Sequence, residues 1–254
     1  TSSLTYTSTD LLRFLPTLNF NGATPTLTVI LIETPTTVSS GATLDVTTRG
    51  TTTVYSLNTV VLSSSITAVN DAPTVSAPSS FTVTEDVNGN LVFSGMPFTD
   101  VDVASGNMTV TLSVTDGIIT GNASTGITVA GTTTARTLTG TLAALNTYFI
   151  TAGNITYTSA SNNDSPRTLT INISDLGNTG SGGTLTASTT STINIASVND
   201  KPIVTAGATL AYTENAAAAV IDATITITDV DDAQLVSATV TLSSGFIAGD
   251  ILGF

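Results

Sequence analysis

The sequence predicts an all-β chain built of β-sandwich modules arranged end to end, and three observations carry that expectation. The stretch Val69-Asn70-Asp71-Ala72-Pro73 returns as Val198-Asn199-Asp200-Lys201-Pro202, with the two asparagines 129 residues apart (199 − 70). The same offset relates Thr84-Glu85 to Thr213-Glu214, and Thr99-Asp100-Val101-Asp102 to Thr228-Asp229-Val230-Asp231. Between these marks, apolar residues alternate with threonine or serine in short runs broken by turn-forming residues. A fixed period indicates repeated modules, and an alternation of period two indicates strands with one buried face.

The recurring stretch places joints at 70–73 and 199–202. These divide the chain into the closing half of one module (1–69), a complete module (74–198) and the opening half of a third (203–254). In the complete module, strands are expected around Phe81 and Val83, Met108 to Val114, Leu169 to Ile173, and Ile193 to Ile195, each with its apolar residues on one face. Turn signals separate them at Asn88-Gly89-Asn90, Asp116-Gly117, Ala130-Gly131 and 162–166. Gly177 to Gly183 reads as a mobile hairpin loop, because no lysine or helix follows to make it a phosphate loop.

One segment departs from the strand pattern. Leu142, Leu145 and Phe149 fall at i, i+3 and i+7, with Ala143 and Ala144 between them. This spacing predicts a short helical crossing between the two sheets, capped by Thr141.

The flanking segments repeat parts of the complete module. Leu4-Thr5-Tyr6-Thr7-Ser8 matches Ile155-Thr156-Tyr157-Thr158-Ser159, and Leu27 to Glu33 matches Leu169 to Asp175, which puts Glu33 where the module has Asp175. Extra loop residues fall around Leu11 to Phe20 and Asp45 to Leu57. Val240-Thr241-Leu242-Ser243 answers Val110-Thr111-Leu112-Ser113. The two end segments are nearly complementary, and both lack the equivalent of Ile127 to Thr151. The expectation is a window on a longer tandem array, with pairing of one copy's tail to another's head as the alternative.

Composition narrows the function. The cations Arg13, Arg49, Arg136, Arg167 and Lys201 face 18 carboxylates, and a net charge of −13 argues against nucleic-acid phosphates and anionic membranes as partners. With no cysteine and no histidine, the chain lacks disulfides, a triad base and the usual zinc or copper ligands. Without tryptophan it also lacks the common sugar-stacking floor. No apolar run reaches the roughly 18 residues that a membrane helix needs, so direct membrane insertion is not expected. Any export signal is expected outside the sequence, since Thr1 opens it without a basic and then apolar segment. These exclusions point away from an enzyme and leave oxygen-seeking divalent cations as welcome ligands.

Calcium takes six to eight oxygen ligands, most easily from carboxylates and carbonyls converging from separate strands. At the first joint the candidates are Asn70, Asp71, Asp100 and Asp102, with Glu33 from the module above. At the second they are Asn199, Asp200, Asp229 and Asp231, with Glu85 and Asp175 from the module above. The plainer reading is that Asp-Val-Asp closes a turn and Asn-Asp-x-Pro shapes a linker. Against it, clusters of four or more uncompensated carboxylates repel one another. Five glycosylation sequons, beginning at Asn107, Asn122, Asn154, Asn163 and Asn172, read as accidents of a threonine-rich composition.

In these motifs the chain resembles the cadherin-like tandem repeats of very long secreted bacterial surface proteins and adhesins, in which an Asn-Asp-x-Pro joint precedes each module and Thr-Asp-x-Asp follows about thirty residues later. The resemblance covers nearly the whole chain. It implies Ig-like or cadherin-like Greek-key sandwiches with calcium at the joints. The joint here holds one residue between Asp and Pro, shorter than the vertebrate cadherin linker.

The resulting expectation is a structural and adhesive region of a bacterial cell-surface protein, secreted and extracellular, forming a calcium-rigidified rod or fibre. Its partners would be neighbouring modules of the same chain or identical chains, and a cell-surface or glycan ligand. A self-assembling surface filament or sheet and a carbohydrate-binding module are the alternatives.

Overall fold

The computed structural model describes residues 13–33, 39, 41–245 and 247–253. The Leu4 to Ser8 match and the start of the Leu11 to Phe20 loop lie outside the described residues. Ahead of the first joint are β1 (Gly22–Ala23), β2 (Leu27–Val29), β3 (Val60–Leu62) and β4 (Ser65–Ile66). The complete module follows with β5 (Thr74–Val75), β6 (Ser80–Thr84), β7 (Gly89–Asn90), β8 (Phe98–Thr99), β9 (Asn107–Ser113), β10 (Ile118–Gly121), β11 (Thr128–Gly131) and β12 (Ala135–Thr141). Helix α1 (Leu142–Ile150) then leads to β13 (Ile155–Thr158), β14 (Arg167–Ser174) and β15 (Thr186–Ala196), and the last segment carries β16 (Ile203–Thr205) and β17 (Thr226–Thr228).

The complete module is a sandwich. One sheet has six strands in the order β11-β12-β9-β14-β15-β6, the other has three in the order β10-β13-β7, and β5 pairs with β8 at the margin. Pairing in the large sheet is antiparallel except at its edge, where β6 lies parallel to β15 with Phe81 opposite Ile193. The alternating residues behave as their period dictates. Met108, Val110, Leu112, Leu169, Ile171, Ile173, Ile193 and Ile195 are buried, and the intervening threonines and serines face outward. Across the core stand Leu91, Ile119, Ile155 and Tyr157.

Helix α1 connects β12 of the large sheet to β13 of the small one, so it forms the crossing that the Leu142, Leu145, Phe149 spacing predicts. The Thr141 side chain accepts the Ala144 amide at 3.3 Å and satisfies one of the first-turn donors. Phe149 is fully buried, its ring edge-on to Phe93 at 5.0 Å and to Phe98 at 4.8 Å. Asn146 belongs to the same face, although its polarity hides it from an apolar count. It donates to the Phe98 carbonyl and accepts the Phe98 amide, so the helix side chain pairs with β8 as a strand would.

Two sequence expectations need correction. Gly89 and Asn90 are not a turn but strand β7, paired with Tyr157 and Thr156. The reversal comes earlier, at Glu85 and Asp86, where Asp86 adopts φ 56°. Gly89 is needed there for close packing, since a Cβ would fall 2.5 Å from Val83 Cγ1. The Gly177 to Gly183 loop is not free either. It is bound to the incoming linker through Ser181 and Gly183.

The period of 129 is visible in the backbone. Thr74 pairs with Thr99 and Val75 with Phe98; 129 residues on, Ile203 pairs with Thr228 and Val204 with Ile227. The turn from Thr84 to Val87, with Asp86 left-handed, recurs from Thr213 to Ala216 with Asn215 at φ 62°. In the first segment Leu27 pairs with Leu62 and Val29 with Val60, the register of Leu169 with Ser191 and Ile171 with Thr189.

Candidate metal centres at the module joints

The Asp-Val-Asp segment folds the same way at both joints. Asp100 accepts the amides of Asp102 and Val103 through Oδ1, and Asp229 accepts those of Asp231 and Asp232. This is the local turn that a short acidic side chain favours. The second acid of each pair then turns back onto the linker, so that Asp102 Oδ2 accepts the Asp71 amide at 2.9 Å and Asp231 Oδ2 accepts the Asp200 amide.

Each pair therefore uses one oxygen per carboxylate to shape the chain and holds the other in reserve. Among the described residues, Asp100 Oδ2, Asp102 Oδ1 and Asp200 Oδ2 are buried without any hydrogen-bond partner. A buried anionic oxygen without a donor carries a desolvation cost that nothing on the protein offsets. Burial, the largest cause, raises the Asp100 pKa above its ordinary value, against the pull of the Asp102 and Val103 amides. Desolvation also raises that of Asp200, and the charges of Asp231, Asp86 and Asp229 add to it.

At the second joint the acids converge. Glu85, from the turn after β6, brings a ligand oxygen within 4.8 Å of those of Asp200 and Asp231. Glu85 is 2% exposed, its Oε2 accepts the Val198 amide, and its own amide bonds to the Ala196 carbonyl, so β15 fixes it beside the linker. Oxygen-only donors of this charge, with an unpartnered buried oxygen among them, fit a hard divalent cation. Asp86 is the acid that the sequence motifs leave out. Its position is marked by an aspartate or asparagine at the same offset, since after glycine these are the residues that enter the left-handed region most readily.

At the first joint Asp71, Asp100 and Asp102 do not close to that spacing. Asp71 and Asp102 instead line a cleft of about 370 Å³ together with Pro16, Asn19, Phe20 and Val69. Glu33 stands elsewhere. Its amide bonds to the Val54 carbonyl, past the Ile32 to Tyr55 bridge, at the end of the β2–β3 hairpin that points away from Asn70.

Asp175 and the asparagines are likewise not gathered as expected. Asp175 follows β14 where Ser174 pairs with Thr186, whereas the second joint begins beyond Ala196, ten residues along β15. At about 3.3 Å per residue that is roughly 33 Å. Asp175 is therefore at the first joint, where its Oδ2 accepts from Asn70 Nδ2 at 2.5 Å. Asn70 is engaged in that bond, and Asn199 is exposed and donates to the Asp200 carbonyl. Burial works against the Asp175 carboxylate, but the amides of Leu185 and Gly177 and the Asn70 side chain outweigh it and hold its pKa below the ordinary value.

No family model matches the chain, and no curated protein matches it. Among solved structures, the crystal structure of human CDH23 EC21-23 is similar at a TM-score of 0.34 and 16% identity, with 70% of this chain and 50% of that chain covered. The chain thus spans about half the length of that structure, and a likeness so slight carries no function across. Among the described residues no helix is long and apolar enough to cross a membrane.

Proposed function

We propose that the chain is a structural and adhesive repeat region of a secreted or cell-surface protein, of the bacterial cadherin-like kind its motifs resemble, in which calcium at the joints stiffens end-to-end sandwiches into a rod. The observation that carries this reading is the repeated joint geometry. Two Asp-Val-Asp turns 129 residues apart tie one oxygen of each second acid to the preceding linker, and buried carboxylate oxygens stand unpartnered at both joints, on Asp100 and Asp102 at the first and on Asp200 at the second. A cation bound there would compensate those oxygens and fasten the linker to the module it enters. Glu85 would add a ligand from the module above at the second joint. The role is mechanical rather than catalytic, and the partners are neighbouring modules or identical chains.

Small-angle scattering of the purified chain with calcium and then with excess chelator tests the reading. A longer, stiffer particle is expected with calcium, and superimposable curves would overturn the calcium rod.

A further inference from the structure

Besides the bond from Asp71 to Asp102, the linker that enters the complete module is held by a second set of contacts in which no carboxylate of the Asp-Val-Asp turn takes part. Asn70 donates its amide to the Ser181 carbonyl at 2.8 Å, and Ser181 donates its own to the Ala68 carbonyl at 2.9 Å. This pair makes a parallel bridge between Val69 and Ser181. The Asn70 side chain, 7% exposed, then spends both of its N–H donors, one on Asp175 Oδ2 and one on the Gly183 carbonyl. Asp175, 1% exposed, is braced for this by the amides of Gly177 and Leu185 on its other oxygen. Gly180 lets the loop come this close, because a Cβ there would lie 2.7 Å from the Asn70 nitrogen.

We propose that the Gly177 to Gly183 loop is a latch that seats the incoming linker without a cation, with Asn70 as its bolt and Asp175 as its catch. The joint motif then divides its labour. Asn70 faces back into the loop between β14 and β15, while the Asp71 amide faces forward to Asp102. The latch stands independently of the calcium reading, because each of its bonds is complete within the chain. Asparagine is required at position 70, since aspartate has its shape but would set a second carboxylate against Asp175 and remove both donors.

Amide hydrogen exchange in the 254-residue chain decides this, read at the amides of Asn70 and Ser181 in excess calcium and in excess chelator. Both amides are expected to be protected in both conditions. In Asn70→Asp their protection should fall about tenfold or more whether or not calcium is present, as loss of a charge-assisted bond worth over 1 kcal/mol implies, while Val110 and Ile171 in the sheet stay protected. Should Asn70→Asp fail to fold, Gly180→Ala opens the same contact from the loop side. Asp100→Asn with Asp102→Asn should leave the two amides protected. Protection in the natural chain only when calcium is present, or protection unchanged in both Asn70→Asp and Gly180→Ala, would overturn the latch. A chain indifferent to calcium would defeat the rod reading and leave the latch standing.

Discussion

The Asp71 amide donates to Oδ2 of Asp102 at 2.9 Å. One hydrogen bond thus ties the linker to a turn 31 residues further on, and Asp231 receives Asp200 in the same way. Because that bond occupies a single oxygen, the other is buried and without a donor at Asp102. Carboxylates so arranged hold a linker in place while presenting unspent charge to the joint.

Chelation should therefore lower stability. Extracellular calcium modules bind with Kd of roughly 10⁻⁴ to 10⁻³ M, so 10 mM calcium is worth roughly 1.4 to 2.7 kcal/mol per site. Thermal melts in calcium and in chelator should separate accordingly. Replacing Asp100 and Asp102 together with asparagine should shrink the gap, and an undiminished gap would place the cation elsewhere.

The second joint should respond on its own. Asp229→Asn with Asp231→Asn, or Glu85→Gln, removes charge from the three-acid group without touching Asp71 or Asp102. Calorimetric titration with calcium should then lose the second-joint binding event and keep the first. Loss of both events from either variant would show that the joints are not separate sites.

Asn146 should matter more than an ordinary helix residue. Asn146→Ala strands the buried amide and carbonyl of Phe98, at a cost of about 1–3 kcal/mol for each group left unsatisfied. Thr141→Ala removes a single cap bond and should cost about 1 kcal/mol. Urea unfolding of the two variants gives the comparison, and a larger loss at Thr141 would contradict the strand-like role of Asn146.

Acid should weaken the module at Asp175. The burial that opposes its ionisation is outweighed by donated hydrogen bonds, so its folded pKa lies below the ordinary aspartate value. A carboxyl depressed on folding contributes stability that is fully present above its unfolded value and is lost as pH falls through the folded one. Stability should thus decline below about pH 4, and less steeply in Asp175→Asn. A carbon-detected titration that put the Asp175 pKa above that of an unstructured aspartate would refute this.

The repeat, the strands and the crossing helix were legible from order alone, because each depends on spacing along the chain. Met108, Val110 and Leu112 alternate, Leu145 and Phe149 share a helical face, and the Asp-Val-Asp turn is closed by amides two and three residues away. Local geometry of that kind follows from residue type and separation. Which end of a sandwich an acid occupies does not, since it depends on the direction in which its strand runs. β14 runs antiparallel to β15, so Asp175 comes out at the first joint rather than the second, and Glu33 at the end of its hairpin away from Asn70. For the same reason Asn70, adjacent to a candidate cation ligand in sequence, is claimed by a loop more than a hundred residues away, because the fold brings that loop against the linker.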